Sequence, residues 1–130
     1  MRPLLILVIL LFLLPLQGSP CYPEEKGVWI TDSVQIKMAD AFMEEGEYYR
    51  AITEYKKLLI LFPDSDLADY ALFRIGMAYY RGEEYEPSAR SFSSLREKYS
   101  KSRYLPGSLY FEGLAYWKLK RREKARDRLD

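Results

Sequence analysis

Histidine is absent from the 130 residues, and cysteine occurs once, as Cys21. Without an imidazole, Ser–His–Asp and Cys–His nucleophilic sites are excluded within the chain. A zinc site of the usual His/Cys type is excluded as well. Charge of one sign is also lacking: 20 Lys and Arg stand against 19 Asp and Glu, a formal net charge of +1. Such a balance supplies no overall field to capture nucleic acid or an acidic surface. The longest apolar run, Leu4 to Leu14, falls short of the roughly 20 residues a membrane-spanning helix needs. Carboxylate chemistry remains, since two acids flanking a sugar can cleave a glycan. The acids here cluster in turns, however, and no buried candidate general acid is expected among them. No catalytic residue, metal ligand, cofactor or small-molecule substrate is therefore expected, and nucleic acid is not an expected partner.

What is present is a chain 48% hydrophobic and 30% charged, the composition of one folded domain with a core. Its first 20 residues read as a secretory signal peptide: a charged Arg2, the apolar run, a break at Pro15 and the small or polar Gln17-Gly18-Ser19. Two cleavage schemes remain open. The position of Cys21 after the run resembles that of bacterial lipoproteins, which implies a cut before Cys21, its lipidation and a membrane anchor. Pro20 departs from the small residue that pattern places before the cysteine. A cut near Gly18 would instead leave a soluble protein with a free or intermolecularly paired thiol. Residues 21–31, with Pro23, Glu24, Glu25 and Lys26, read as a short tether.

From residue 32 the chain repeats itself at a spacing of 37 residues. Ala39 recurs as Gly76 and Gly113, Phe42 as Tyr79 and Tyr116, Ala51 as Ser88 and Ala125, and Tyr55 as Phe92 and Leu129. Leu58 pairs with Leu95, Phe62 with Tyr99, Ser65 with Ser102 and Leu72 with Leu109. A fixed period of this size marks a solenoid. Within each period the spacing is helical: Ile36, Ala39 and Met43 form one apolar stripe, and Ala51, Tyr55, Leu58, Leu59 and Phe62 another. Glu44-Glu45-Gly46-Glu47 and Arg81-Gly82-Glu83-Glu84 are polar turns joining helices into antiparallel hairpins. Pro63 stops a helix, Ser65 or Asp66 is placed to cap the next, and Pro87 and Pro106 fit first turns. The small residues let the two helices of a hairpin approach, and the aromatics fill the space around the crossing.

A small residue, an aromatic three on, an Ala further along, another aromatic and a closing Pro together resemble the tetratricopeptide repeat. Residues 32–63 carry it as Ala39, Phe42, Gly46, Ala51, Tyr55, Leu58 and Pro63; residues 69–100 depart at Ser88 and Ser100; residues 106–130 follow it to Leu129. The resemblance implies an all-α solenoid of antiparallel hairpins, about two and a half repeats over residues 32–130. The period exceeds the family's usual length of about 34 residues, and the linkers Pro63 to Ala68 and Ser100 to Tyr104 hold the excess. Asp130 follows Leu129 in mid-pattern, so continuation beyond it, or completion by a partner or another copy, is expected. Together with the exported N-terminus, the linker resembles those of bacterial cell-envelope repeat proteins, the BamD-like outer-membrane assembly lipoproteins and the Tol–Pal-associated periplasmic proteins. That likeness implies a scaffold binding other proteins, envelope assembly components among them, in the periplasm or anchored at the outer membrane through Cys21. Alternatives are the non-catalytic arm of a larger cell-wall enzyme, a periplasmic adaptor of cell division, and a cytoplasmic adaptor that keeps its N-terminal run.

In this family the first helix of each hairpin lines a concave groove that holds partner segments. The resemblance implies that the groove is lined by Ile36, Asp40 and Met43, then Tyr70, Phe73, Met77 and Tyr80, then Tyr110, Leu114 and Trp117. Such aromatic and Met-rich stripes suit protein binding. Leu114 and Phe73 are expected to pack on neighbouring helices, and Tyr80 and Trp117 to be exposed. The first two turns are acidic, whereas the third, with Lys118, Lys120, Arg121, Arg122 and Lys124, is basic and continues through Arg126 and Arg128. It reads either as a solvated helix-end cluster or as a dock for an acidic partner or anionic lipid headgroups.

Overall fold

The computed structural model describes residues 29–120 and 122–129, without the side chains of Arg122, Glu123 and Ala125. The expected signal peptide, Cys21, residues 21–28 of the tether and Arg121 lie outside them. Six helices follow one another among the described residues: α1 (Asp32–Glu44), α2 (Tyr48–Leu61), α3 (Ala68–Arg81), α4 (Tyr85–Lys98), α5 (Leu105–Lys118) and α6 (Arg122–Leu129). Each packs on the next, and α3 also touches α5. This is the expected all-α solenoid, three hairpins in which each element meets only its near neighbours.

Local chemistry places the helix ends. The Thr31 hydroxyl accepts the Val34 N–H and caps α1. Pro63 lies just past α2, and Pro87 and Pro106 occupy the third and second positions of α4 and α5, where an N–H has no intrahelical partner. Ser65 and Asp66, however, do not cap α3. Leu67 holds that position without a side-chain bond. Ser65 instead donates to the Asp32 carboxylate at 2.6 Å and accepts the Leu67 N–H at 3.1 Å. Ser102 does the same one period later, donating to Asp69 at 2.6 Å and accepting the Tyr104 N–H at 3.1 Å. The longer linker is thus a staple closing the open end of each hairpin onto the first turn of its own first helix. Pro106 stands where the third aspartate would be, and the staple ends there.

The turns place one residue per repeat in the left-handed region: Gly46 at φ 77°, Glu83 at 63° and Lys120 at 60°. Glycine is at home in this conformation, whereas a side chain there costs about 1–2 kcal/mol. In the second turn the strain falls on Glu83 although Gly82 is its neighbour, because the register of 37 residues, not composition, decides which residue turns. The N–H of the following residue then reaches back five positions, Glu47 to Phe42 and Glu84 to Tyr79, as in a Schellman ending.

The core lies between the helices of each hairpin and between successive hairpins. Tyr55, Leu58, Phe92 and Leu95 are fully buried, each contributing about 1.5–3 kcal/mol by area. The small positions serve the crossing as expected. A Cβ on Gly76 would lie 2.6 Å from the Phe92 ring, and one on Gly113 would lie 2.6 Å from Leu129. Ser88, buried at the same crossing, donates to the Gly76 carbonyl at 2.9 Å, so its hydroxyl is not left unpaired. Buried Gln35 likewise donates to the Glu54 carbonyl and carboxylate.

Candidate functional site

The face built by α1, α3 and α5 is the candidate interaction surface, and its residues change exposure along the chain. Ile36, Phe73 and Tyr110 share one register position; Ile36 is 7% exposed, Phe73 half-buried and Tyr110 53% exposed. Met43, Tyr80 and Trp117 share another; Met43 is 1% exposed, Tyr80 half-buried and Trp117 60% exposed. Ile36 and Met43 are therefore core residues and do not line a groove, which corrects their expected placement. The covering follows from the stack. Phe73 stacks on Tyr104 with ring centroids 5.3 Å apart, and a Cβ on Gly107 would touch it at 3.3 Å. Tyr80 meets Tyr85 and Phe111 edge-on at 5.5 Å. The third hairpin thus lays Tyr104 and the first half of α5 over Phe73 and Tyr80 of the second. Phe73 packs as expected, and Leu114 is half-buried. Tyr80 is less exposed than its place at a helix end implied. Trp117 is exposed as expected.

What this face keeps at the surface is of mixed chemistry and mostly half-buried: Asp40, Arg74, Tyr70, Met77 and Leu114 are partly exposed, and Tyr110 and Trp117 are exposed. Its polar end is a network that the sequence pattern did not reveal. The Tyr55 hydroxyl donates to Asp40 at 2.5 Å, and the Tyr70 hydroxyl donates to the same carboxylate at 3.1 Å. Arg74 donates from Nε to the Tyr55 oxygen at 3.0 Å, pairs with Asp40 at 3.4 Å and reaches Glu44 at 3.3 Å. Burial holds the Tyr55 hydroxyl well above the ordinary tyrosine range, with Arg74 opposing and Asp40 adding to the shift. Burial raises Tyr70 in the same way. Asp40 sits where the next repeats carry Met77 and Leu114, and its partner Tyr55 where they carry Phe92 and Leu129. The acid and the hydroxyl appear together and disappear together. That pairing was the available signal for the network.

A second polar cluster lies inside. Glu112 is fully buried on α5, with Arg96 Nη1 at 2.5 Å and Arg128 Nε at 3.4 Å. Not all acids cluster in turns, therefore, and the expectation of no buried carboxylate is corrected. Glu112 occupies the position of Ile75 in the preceding repeat and serves the junction of α4, α5 and α6. The Arg128 Nε lies toward it, while the side chain stays 35% exposed. Lys118, Lys120, Lys124 and Arg126 are exposed, and Lys124 lies over the Tyr116 ring at 5.4 Å. For Arg122 only the helical backbone is described.

Comparison with known families returns the same period. Residues 33–65 and 70–102 each match the tetratricopeptide repeat, together about half of the chain. No curated protein matches the chain.

Proposed function

The chain belongs to the tetratricopeptide repeat family, whose repeats serve as protein–protein interaction scaffolds, and we propose that it binds partner segments along the face of α1, α3 and α5. The observation that carries this reading is the partly exposed set Arg74, Tyr70, Met77 and Leu114, which leads to the exposed Tyr110 and Trp117. Large rings and a methionine provide apolar contact area, and Asp40, Glu44 and Arg74 provide a polar end that fixes direction. An extended or helical segment with an apolar stripe and a charged terminus fits such a strip. The test is selection of binders from a displayed peptide library, followed by titration against the wild type and Met77→Glu. Binding lost at least tenfold in the variant, with the helical circular dichroism unchanged, supports the strip. Equal binding sinks it.

The envelope setting belongs to the same proposal: export by residues 1–20, an anchor at Cys21 and work among outer-membrane assembly components. Its support is the charged tip, apolar run and single cysteine. Intact mass and fractionation from a bacterial host, wild type against Cys21→Ser, test it. Loss of residues 1–20 with added acyl chains, and release from the membrane in the variant, supports a lipoprotein. A cut near Gly18 with a soluble product supports a free periplasmic adaptor, and an uncut chain overturns export.

A further inference from the structure

Where α4, α5 and α6 meet, the Glu112 carboxylate lies beside two cations, Arg96 at 2.5 Å and Arg128 at 3.4 Å. The residues 37 positions earlier are Ile75, Leu59 and Ser91. They too lie together, but no charge joins them. They line a cleft of about 370 Å³ between α2 and α4, floored by Leu72 and Ile75 of α3. Leu72 and Ile75 are buried and Leu59 is half-buried, so the bottom of the cleft is apolar. Residues two apart on a helix point to nearly opposite sides. The cleft therefore lies across α3 from Tyr70, Arg74 and Met77, and it is separate from the face of α1, α3 and α5. A space that the later repeat fills with its own ion pairs is open in the earlier one.

The earlier place has its two cations as well, one from each flanking helix, but at the rim. Lys56 of α2 and Arg90 of α4 line the cleft and are exposed. Ser93 and Asp127 stand in their places one period later. The Lys56 ammonium rests on Tyr79, donating to its hydroxyl at 3.2 Å and lying 5.7 Å from the ring centre. Arg90 reaches Glu86 at 3.8 Å, an exposed pair of the kind that contributes little. Neither cation meets a carboxylate from the floor, because Ile75 stands where Glu112 stands later. We infer that a partner protein supplies it: the cleft takes an acidic segment in which an apolar side chain stands beside Glu or Asp. The apolar side chain covers Leu59, Leu72 and Ile75, and the carboxylate sits between Lys56 and Arg90. The Tyr79 hydroxyl, which accepts from Lys56, still has its proton to donate to that carboxylate. The size of the cleft is at the low end for ligand pockets, which suits one or two side chains rather than an enclosed small molecule. Apolar walls keep water from one side of the ion pairs and so strengthen them. This is a second docking site, independent of the one proposed above.

The test is a displayed peptide library selected on the full chain carrying Met77→Glu, which spoils the other face, so that failure here leaves that reading untouched. The selected pool is then depleted on the same chain with Lys56→Gln and Arg90→Gln added. Both are exposed sites, and helical circular dichroism checks the fold. Peptides pairing an apolar residue with Glu or Asp are expected to be enriched. One of them, synthesised and titrated, should bind at least about tenfold more weakly to the Lys56→Gln, Arg90→Gln chain. Changing its acid to the amide should cost as much, and added salt should weaken the wild-type contact. Leu59→Arg, which puts the later repeat's side chain into the cleft, should abolish binding; if that variant unfolds, Ser91→Arg replaces it. Enrichment of peptides without acids overturns the proposal, as does a pool that the depletion leaves unchanged, which would place the contact on the basic third turn or elsewhere. An empty selection overturns it too.

Discussion

The first and second hairpins share one backbone plan and one staple, yet fill the position beside their crossing with different chemistry. In the first, Asp40, Tyr55 and Arg74 form a half-buried polar network, reinforced by Tyr70. In the second the same positions carry Met77 and Phe92, with Phe111 in place of the arginine, and ring contacts fill the space. The polar variant keeps a carboxylate and a guanidinium within reach of solvent, where a partner can meet them. The apolar variant leaves Gly76 no room for a side chain. One fold thus tolerates two fillings, provided every polar atom brought inside also brings its partner.

The largest effect should come from breaking the buried ion pair beyond the second hairpin. Arg96→Ala leaves Glu112 inside with only Arg128 at 3.4 Å, and about 3–5 kcal/mol of stability should be lost. Glu112→Ile, which copies Ile75, should cost far less, since both arginines are partly exposed and can turn to water. Urea unfolding of the two variants measures the contrast, and equal losses would refute it. Next, Gly76→Ala pushes a methyl group into the Phe92 ring and should cost about 1–3 kcal/mol. Gly113→Ala should cost less, because Leu129 opposite it is partly exposed at the end of the stack. The ranking of their thermal midpoints checks this.

The polar network predicts a smaller, pH-dependent effect. Tyr55→Phe removes a donor and an acceptor and should cost about 1 kcal/mol. Adding Asp40→Met, which converts the site to the second hairpin's filling, should recover part of that cost, and the double-mutant cycle reads the coupling. The folded-state values of Tyr55 and Tyr70 are raised above their ordinary value of 10.0. Their contribution is therefore whole below pH 10 and is lost as pH rises beyond it, because the unfolded chain ionises first. Alkaline denaturation followed with and without Tyr55→Phe should show a shallower fall in the variant. The smallest effects concern the turns. Glu83→Gly should stabilise by about 0.5–1 kcal/mol and Gly46→Ala should destabilise by about 1 kcal/mol, with the sign set by φ alone. Thermal melts decide, and a destabilised Glu83→Gly would show that its side chain matters more than its backbone.

Much of this architecture was legible in the residues. The period of 37, the helical spacing, the prolines in first turns and the small-against-large pairing at the crossing are local or strictly periodic features. A periodic pattern has to satisfy the same sterics in each hairpin, so its meaning survives without knowledge of neighbours. The staple was half legible: Ser65 and Ser102 stood out in register, but their aspartates lie 33 residues away, and capping was the nearer explanation. Part of the candidate face was misplaced for a related reason. Helical periodicity says which side of α1 holds Ile36 and Met43, but not that another hairpin will lie on that side.

Residue spacing alone specified the helices, their order, the hairpin crossing and the repeat family, because propensity, turns and periodic volume act within one or two repeats. Packing between hairpins set which side chains are covered, buried Glu112 beside two arginines, and joined Asp40 to two tyrosines and Arg74. Those outcomes depend on what the neighbouring hairpin brings across. A side chain's fate is then set by partners about 15–30 residues away, beyond the reach of any local pattern.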